Sequence, residues 1–181
     1  MTARAALENL LTRTGERDQR AFAELYQLVA SRLFGVCLRM LRHPGEAEEV
    51  LQEVFTTVWR RADSFDPARG NAMTWLVALA RNKAIDRLRQ QHEVLLDQHI
   101  DLDQMVDERP APLQEAEAGQ DYVRLLNCLE ALEPKQRRSV REAFFTGATY
   151  QDLAARCQVP LGTFKSWIRR ALIQLRECLE S

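Results

Sequence analysis

The stretch Thr149–Leu179, TYQDLAARCQVPLGTFKSWIRRALIQLRECL, constrains the fold more than any other part of the chain. Tyr150–Cys157 carries Leu153, Ala154 and Cys157 at helical spacing. Gln158-Val159-Pro160 then interrupts the pattern, because Pro160 has no N–H to give and pushes Val159 out of the α region. From Leu161 onward, Phe164, Trp167, Ile168, Ala171, Leu172, Leu175 and Leu179 recur at steps of three and four, which predicts a second helix with one apolar side. Lys165, Ser166, Arg169 and Arg170 fall largely on the other side. Two short helices around a tight turn, the second apolar inward and cationic outward, form the pattern of a helix-turn-helix. In that motif the second helix enters the DNA major groove by its N-terminal end. Gly162 lets backbone approach phosphate, and a helix N-terminus favours an anion. Thr163, Lys165, Ser166, Arg169 and Arg170 are then placed to donate to base edges or phosphates. A basic amphipathic helix also suits a plain solvated face or a membrane surface. The pattern favours DNA over both.

The net charge of −1 conceals a segregation. Residues 1–95 hold 14 Lys/Arg against 12 Asp/Glu, a balance of +2. Residues 96–121 hold one base, Arg109, and eight acids, a balance of −7. Residues 122–181 hold 10 bases and six acids, a balance of +4. Two mildly basic blocks thus flank an acidic connector, LLDQHIDLDQMVDERPAPLQEAEAGQ, which has weak periodicity and carries Pro110 and Pro112. It reads as a largely extended linker; composition alone assigns it no further role. Hydrophobic residues make up 46% of the chain, enough for ordinary cores. No apolar run of membrane-spanning length is apparent, so no membrane insertion is expected. The first 20 residues lack an apolar secretory segment, and a cytoplasmic location follows.

The remaining signals are helical, with no strand pattern and no internal repeat. Asp18 is placed to cap a helix running to about Arg42, with Phe22, Leu25, Tyr26, Val29, Leu33, Val36, Cys37 and Met40 inward. His43-Pro44-Gly45 ends it. A second helix, about Glu46–Ser64, sets Ala47, Val50, Leu51, Val54, Phe55, Val58 and Trp59 against an acidic and amide-bearing side of Glu48, Glu49, Gln52 and Glu53. Phe65–Gly70 is a loop broken by Pro67 and Gly70, and Asn71 is placed to cap a third helix, Ala72 to about Gln91. That helix starts apolar and aromatic (Met73, Trp75, Leu76, Leu79) and continues basic and polar (Arg81, Asn82, Lys83, Arg87, Arg89). Stacking aromatics beside cations suit single-stranded nucleic acid, although a large aromatic such as Trp75 is more often core.

The runs AFAELYQLVASRLFGVCLRML, EAEEVLQEVFTTVWRRADSFDPARGNAMTWLVALARNKAIDRLR and YQDLAARCQVPLGTFKSWIRRALIQLREC, in this order, make the resemblance specific. The chain resembles the extracytoplasmic-function, or group IV, sigma factors of the bacterial sigma-70 family. WL…ARNKAIDRLR and PLGT-x-KSW carry most of the likeness, and FKSWIRRAL with LRECL is most similar to the SigK-like subgroup. The resemblance implies an all-α protein of two small helical domains joined by an acidic flexible linker. The first, 15–95, is a region 2 domain for the promoter −10 element and the polymerase clamp; 96–118 is the linker. The second, 119–181, is a region 4 helix-turn-helix for the −35 element.

The same likeness implies a polymerase contact through Glu49, Gln52, Glu53, Phe55 and Trp59 on the β′ clamp helices, with a second on the β flap. It implies −10 recognition and DNA melting through Phe65, Arg69, Asn71, Trp75, Arg81, Asn82, Lys83, Arg87 and Arg89, with the Phe65–Asn71 loop capturing one flipped base. It places Gly162, Thr163, Lys165, Ser166, Arg169 and Arg170 on the −35 element. Asp101, Asp103 and Asp107 would travel toward the RNA path. An anti-sigma partner, often membrane-anchored, is also implied. Three positions depart from the family pattern. Gln158 stands where Gly is common, which predicts a looser or strained turn. Phe164 replaces a usual Val, and Trp167 stands where Arg is common.

Cys37, Cys128, Cys157 and Cys178 form no CxxC pair and have no His cluster nearby, so no metal site is expected. Cys128 and Cys178 lie in the first and last helices of the C-terminal domain. They meet as a redox pair if those helices pack side by side, whereas a reducing cytoplasm favours unpaired, buried thiols. His43, His92 and His99 have no plausible nucleophile or metal partners and no phosphate-binding Gly loop exists, so neither catalysis nor a cofactor is expected. An autonomous helix-turn-helix regulator is the alternative function. It explains residues 149–179 but not the loop and basic helix at 65–90.

Overall fold

A computed structural model describes residues 3–97 and 120–180. Among them the chain is all helix and forms two compact units, one on each side of the connector. The connector, 96–118, lies outside the described residues except for its first two, which extend a helix. Asp101, Asp103 and Asp107 lie outside them as well.

Unit 1 contains α1 (Ala3–Gly15), α2 (Gln19–Leu41), α3 (Pro44–Arg61), a 3₁₀ turn (Ala62–Ser64) and α4 (Ala72–Asp97). The Asp18 carboxylate caps α2, accepting from the N–H groups of Arg20 and Ala21. These N–H bonds and the Arg13 guanidinium, 2.6 Å away, hold its carboxyl below the usual carboxylate range. Arg42 closes α2 with φ 58°, and His43 Nδ1 caps α3 by accepting from Glu46 N–H, with Pro44 following where its missing donor costs nothing. The core is a line from each helix: Leu25, Val29, Leu33 and Cys37 from α2; Val50, Val54 and Val58 from α3; Leu76, Ala80 and Ala84 from α4. Burial raises the Cys37 thiol to about 11.

Three sequence expectations are corrected here. Tyr26 is 47% exposed, its ring leaning on Phe55 at 4.5 Å instead of entering the core. By length and composition α2 is long and apolar enough to cross a membrane, contrary to the reading that no such run exists; its Leu25–Cys37 line faces the bundle core. The third concerns α1, which the sequence reading left out of the first domain. Leu7 and Leu11 are buried in the same core, and α1 packs on α2, α4 and the 3₁₀ turn. A Cβ on Gly15 would come 2.9 Å from the Asp63 backbone N, so only glycine lets the end of α1 sit against that turn.

Unit 2 contains α5 (Gln120–Glu130), α6 (Pro134–Phe145), α7 (Tyr150–Arg156) and α8 (Leu161–Glu180). Phe164, Ile168, Ala171 and Leu175 of α8 meet Leu153 and Ala154 of α7, Val140 and Ala143 of α6, and Cys128 and Leu132. So small a domain buries little apolar surface. A disulfide joins Cys128 to Cys178, with Cα atoms 5.8 Å apart, and ties α5 to α8. The unpaired reading of these two thiols is therefore corrected. Cys157, expected inside, is free and exposed, because it follows the last turn of α7.

Leu11 is fully buried, so Leu11→Ala is expected to lower unit 1 stability by about 2–5 kcal/mol in urea unfolding. A loss under about 1 kcal/mol, the size of a typical surface change, would show that α1 is only an appendage.

Candidate nucleic-acid interfaces

The helix-turn-helix is built from local rules. Thr149 and Asp152 form a reciprocal capping box at the start of α7. Its T-x-x-D spacing was readable in the sequence and was missed. Gln158 takes the left-handed conformation, φ 55°. Its N–H donates to the Ala155 carbonyl at 3.0 Å, and Val159 N–H donates to the Ala154 carbonyl at 3.0 Å. This is the Schellman closure that normally recruits glycine. The turn is thus as tight as a glycine would make it, and the strain falls on the Gln158 backbone.

On α8, Gly162, Lys165, Ser166, Arg169 and Arg170 are exposed and Thr163 is half-buried. The space beside Gly162 is open. Ser166 Oγ donates to the Gly162 carbonyl at 2.9 Å, so its proton is spent inside the helix and its oxygen is left outward only as an acceptor. Trp167 leans on Phe164, ring centroids 6.4 Å apart, and completes the core edge. Leu172, expected inward, is 40% exposed. With Ile168, Ile173 and Tyr150 it lines a shallow groove between Lys165, Arg169 and Arg176.

In unit 1 the loop before α4 holds its own shape. Asp66 accepts from Ala68 N–H at 2.9 Å, and Asn71 Oδ1 accepts from Met73 N–H at 2.7 Å to cap α4. Phe65 and Trp75 pack edge to face, 6.1 Å apart, both against the core. Trp75 therefore supports the loop from beneath. Arg69 is exposed, 3.9 Å from the Asp66 carboxylate.

The polar residues of α4 divide. Asn82 and Arg89 are exposed on the Trp75 side, with acidic Asp86 between them, and Arg81 is half-buried. Lys83 and Arg87 instead turn toward α3. Arg87 Nη1 reaches Glu49 at 2.9 Å and its Nη2 reaches Glu53 at 3.0 Å; Lys83 Nζ lies 3.8 Å from Glu53. Gln91 donates to Glu46 further along the same seam. The sequence reading gave the acids to a protein partner and the bases to DNA, but the fold places them in one cluster. Such exposed pairs contribute about 0–1 kcal/mol each.

The other expected polymerase residues also separate. Gln52 is exposed. Phe55 is only 4% exposed, so its side chain belongs to the core and not to the outward α3 surface, which corrects the expectation of an exposed contact. Trp59 is half-buried, 5.2 Å from the Phe22 ring and 5.6 Å from the Arg17 guanidinium, which also donates to the Trp59 carbonyl. Arg17 is thus part of this surface, though no sequence pattern links it to Trp59 across 42 residues.

A helix-turn-helix in one unit, and a loop feeding a cation-bearing helix in the other, define a DNA-binding transcription protein with two reading modules. Residues 25–93 match Sigma-70 region 2, and residues 122–175 match Sigma-70 region 4. The chain is 38% identical to the ECF RNA polymerase sigma factor SigK of Mycobacterium tuberculosis over 179 residues, spanning 96% of this chain and 94% of that one. It is 34% identical to SigK of Mycolicibacterium vanbaalenii over 97% of this chain and 90% of that one. A solved structure of Rhodobacter sphaeroides SigE in complex with the anti-sigma ChrR is also similar, with 30% identity, coverage of 97% and 99%, and a TM-score of 0.47. The chain belongs to the extracytoplasmic-function branch of the Sigma-70 family and is an RNA polymerase sigma factor similar to SigK. An autonomous helix-turn-helix regulator would not account for the region 2 match.

The left-handed conformation costs a residue with a Cβ about 1–2 kcal/mol. Gln158→Gly is therefore expected to raise unit 2 stability, by about 1 kcal/mol after the extra entropy of glycine. A lower urea midpoint for this variant would mean that the turn is not strained.

Proposed function

We propose that unit 2 reads the promoter −35 element through Gly162, Thr163, Lys165, Ser166, Arg169 and Arg170. In this reading the buried Phe164–Leu175 stripe presents the cations as one rigid face. That arrangement is the observation that carries the proposal. Unit 1 takes the −10 element and helps to melt it. The Phe65–Asn71 loop, shaped by Asp66 and Asn71, receives a flipped base, while Arg69, Arg81, Asn82 and Arg89 hold the strand. Trp75 backs the loop. Lys83 and Arg87 join them only when released from Glu49 and Glu53.

The α3 face of Glu49, Gln52, Glu53 and Trp59 docks on the β′ clamp helices of core polymerase, with Phe55 shaping it from within. Unit 2 docks on the β flap, and the acidic connector runs toward the RNA path. The protein works in the cytoplasm and is held by an anti-sigma partner with a membrane anchor. Relatives named as polymerase sigma factors support this reading.

The Cys128–Cys178 bridge is proposed to make unit 2 redox-sensitive. A reducing cytoplasm does not keep such a bridge as a permanent staple. A crosslink across 50 residues is worth about 4 kcal/mol in the chain-entropy account.

Lys165→Ala and Arg169→Ala are each expected to weaken binding to −35 duplex and to reduce its salt slope by about 0.9. Gln52→Ala is expected to weaken core polymerase binding and leave duplex binding intact. The reverse pattern for Gln52→Ala would remove the docking assignment, and failure of the chain plus core to open any promoter would remove the whole proposal. Reduction should expose one further thiol, half-buried Cys178, to a thiol reagent beyond Cys157, with buried Cys37 and Cys128 silent until unfolding. Equal −35 binding and equal stability in both redox states would leave no switch.

A further inference from the structure

We infer that Arg17 is a positioning residue for the docking surface of unit 1: it holds the Trp59 side chain in the pose that core polymerase meets. The inference rests on the proposed docking of α3. It adds to that surface a residue from the turn between α1 and α2, 42 positions away in the chain.

Arg17 stands where a helix commonly ends on glycine. Its N–H donates to the Thr14 carbonyl at 3.0 Å, and the Asp18 N–H donates to the Arg13 carbonyl at 3.1 Å. The two bonds close α1 as a Schellman motif. Arg17 takes the left-handed conformation of that closure, φ 68°, which is unfavourable for a residue with a Cβ. An arginine therefore does nothing for the end of α1 that glycine would not do better. Its side chain is used elsewhere, and on a single residue. Nη1 donates to the Trp59 carbonyl in the last turn of α3, where a helix favours a cation. The guanidinium carbon also lies 5.6 Å from the Trp59 ring centroid, within cation–π range.

The support behind this contact is rigid. Leu11 and Thr14, one and two turns back along α1, are fully buried, so the core fixes where the turn sits. The adjacent Asp18 carboxylate is engaged by Arg13 and by the first N–H groups of α2. Elsewhere the indole meets Phe22 edge to face at 5.2 Å. Arg17 and Phe22 thus hold a half-buried ring whose open part lies seven residues, two helical turns, from exposed Gln52. A large side chain ordered before contact loses less freedom on binding, and that saving goes into affinity. Arg17 acts here through Trp59 and not by touching the partner itself.

The test uses the full chain and core RNA polymerase, with affinity read by interferometry on immobilised chain. Arg17→Gly keeps the left-handed closure and removes only the side chain. It is expected to weaken core binding by about two- to tenfold, the value of ordering one large side chain. Urea unfolding confirms that the variant is folded. Arg17→Asn, which also tolerates this backbone region, carries the same test should the glycine variant fail to fold. Uniform 5-fluorotryptophan labelling gives one fluorine resonance for each of the three tryptophans, assigned by single Trp→Phe changes. The Trp59 resonance is expected to move in Arg17→Gly without polymerase present. In a Trp59→Leu background, Arg17→Gly is expected to cost nothing further.

An equal loss of core binding in the Trp59→Leu background overturns the inference, because Arg17 then meets polymerase directly. An unmoved Trp59 resonance overturns it too. Unchanged affinity in Arg17→Gly, with Trp59→Leu weakened, ends the positioning role and leaves the docking surface standing. Unchanged affinity in Trp59→Leu itself ends the docking reading at this residue, and the role of Arg17 with it.

Discussion

Burial of the Phe164–Ile168–Ala171–Leu175 stripe orients the cationic face of the second unit. Each of the large side chains contributes roughly 2 kcal/mol by leaving water. That burial fixes the rotation of α8 about its axis. Rotation decides everything else on the helix: Lys165 and Arg169 face outward because Phe164 and Ile168 do not. The turn before α8 follows from the same demand. Gln158 accepts a left-handed backbone so that α7 can end abruptly and α8 can lie across it. The Thr149–Asp152 cap fixes the other end of α7. The Cys128–Cys178 bridge ties α5 to the far end of α8.

Unit 1 solves a different problem. It brings the carboxylates of α3 and the cations of α4 together on adjacent helices. Its apolar core, four helices deep, is insensitive to what the surface carries. The seam between α3 and α4 is different, because opposite charges meet there. Glu49, Glu53, Lys83 and Arg87 satisfy one another. Such solvent-screened pairs contribute little to stability. The loop before α4 shows the opposite economy: Asp66 and Asn71 use their side chains on local N–H groups, so the segment holds its own shape.

Most of the helical plan was legible in the chain. Asp18 as a cap, the break at His43-Pro44-Gly45, Asn71 as a cap and Leu161 as the start of the recognition helix all stand in the structure. Those features depend on neighbours in sequence. What was not legible depended on distance. Leu7 and Leu11 were too few apolar positions to announce a helix, and only the groove offered by α2 and α4 gives α1 its place. Phe55 was assigned to docking by likeness, but it lies on the apolar side of α3, where the core and the Phe22 and Tyr26 rings of α2 cover it. Tyr26 and Leu172 went the other way. They lie at the margins of their apolar faces, where the neighbouring helices cover them only in part.

The sequence by itself determined which segments are helical, where they stop, which face of α8 is cationic, and the family to which the chain belongs. Periodicity, caps and breakers act over a few residues and survive without a tertiary context. Only the tertiary structure decided that Cys128 meets Cys178, that Arg17 lies by the Trp59 ring, and that Arg87 answers to Glu49 and Glu53 instead of standing open to solvent. Each of these pairs is more than 30 residues apart in the chain. Helix packing creates their proximity, and no local pattern encodes it.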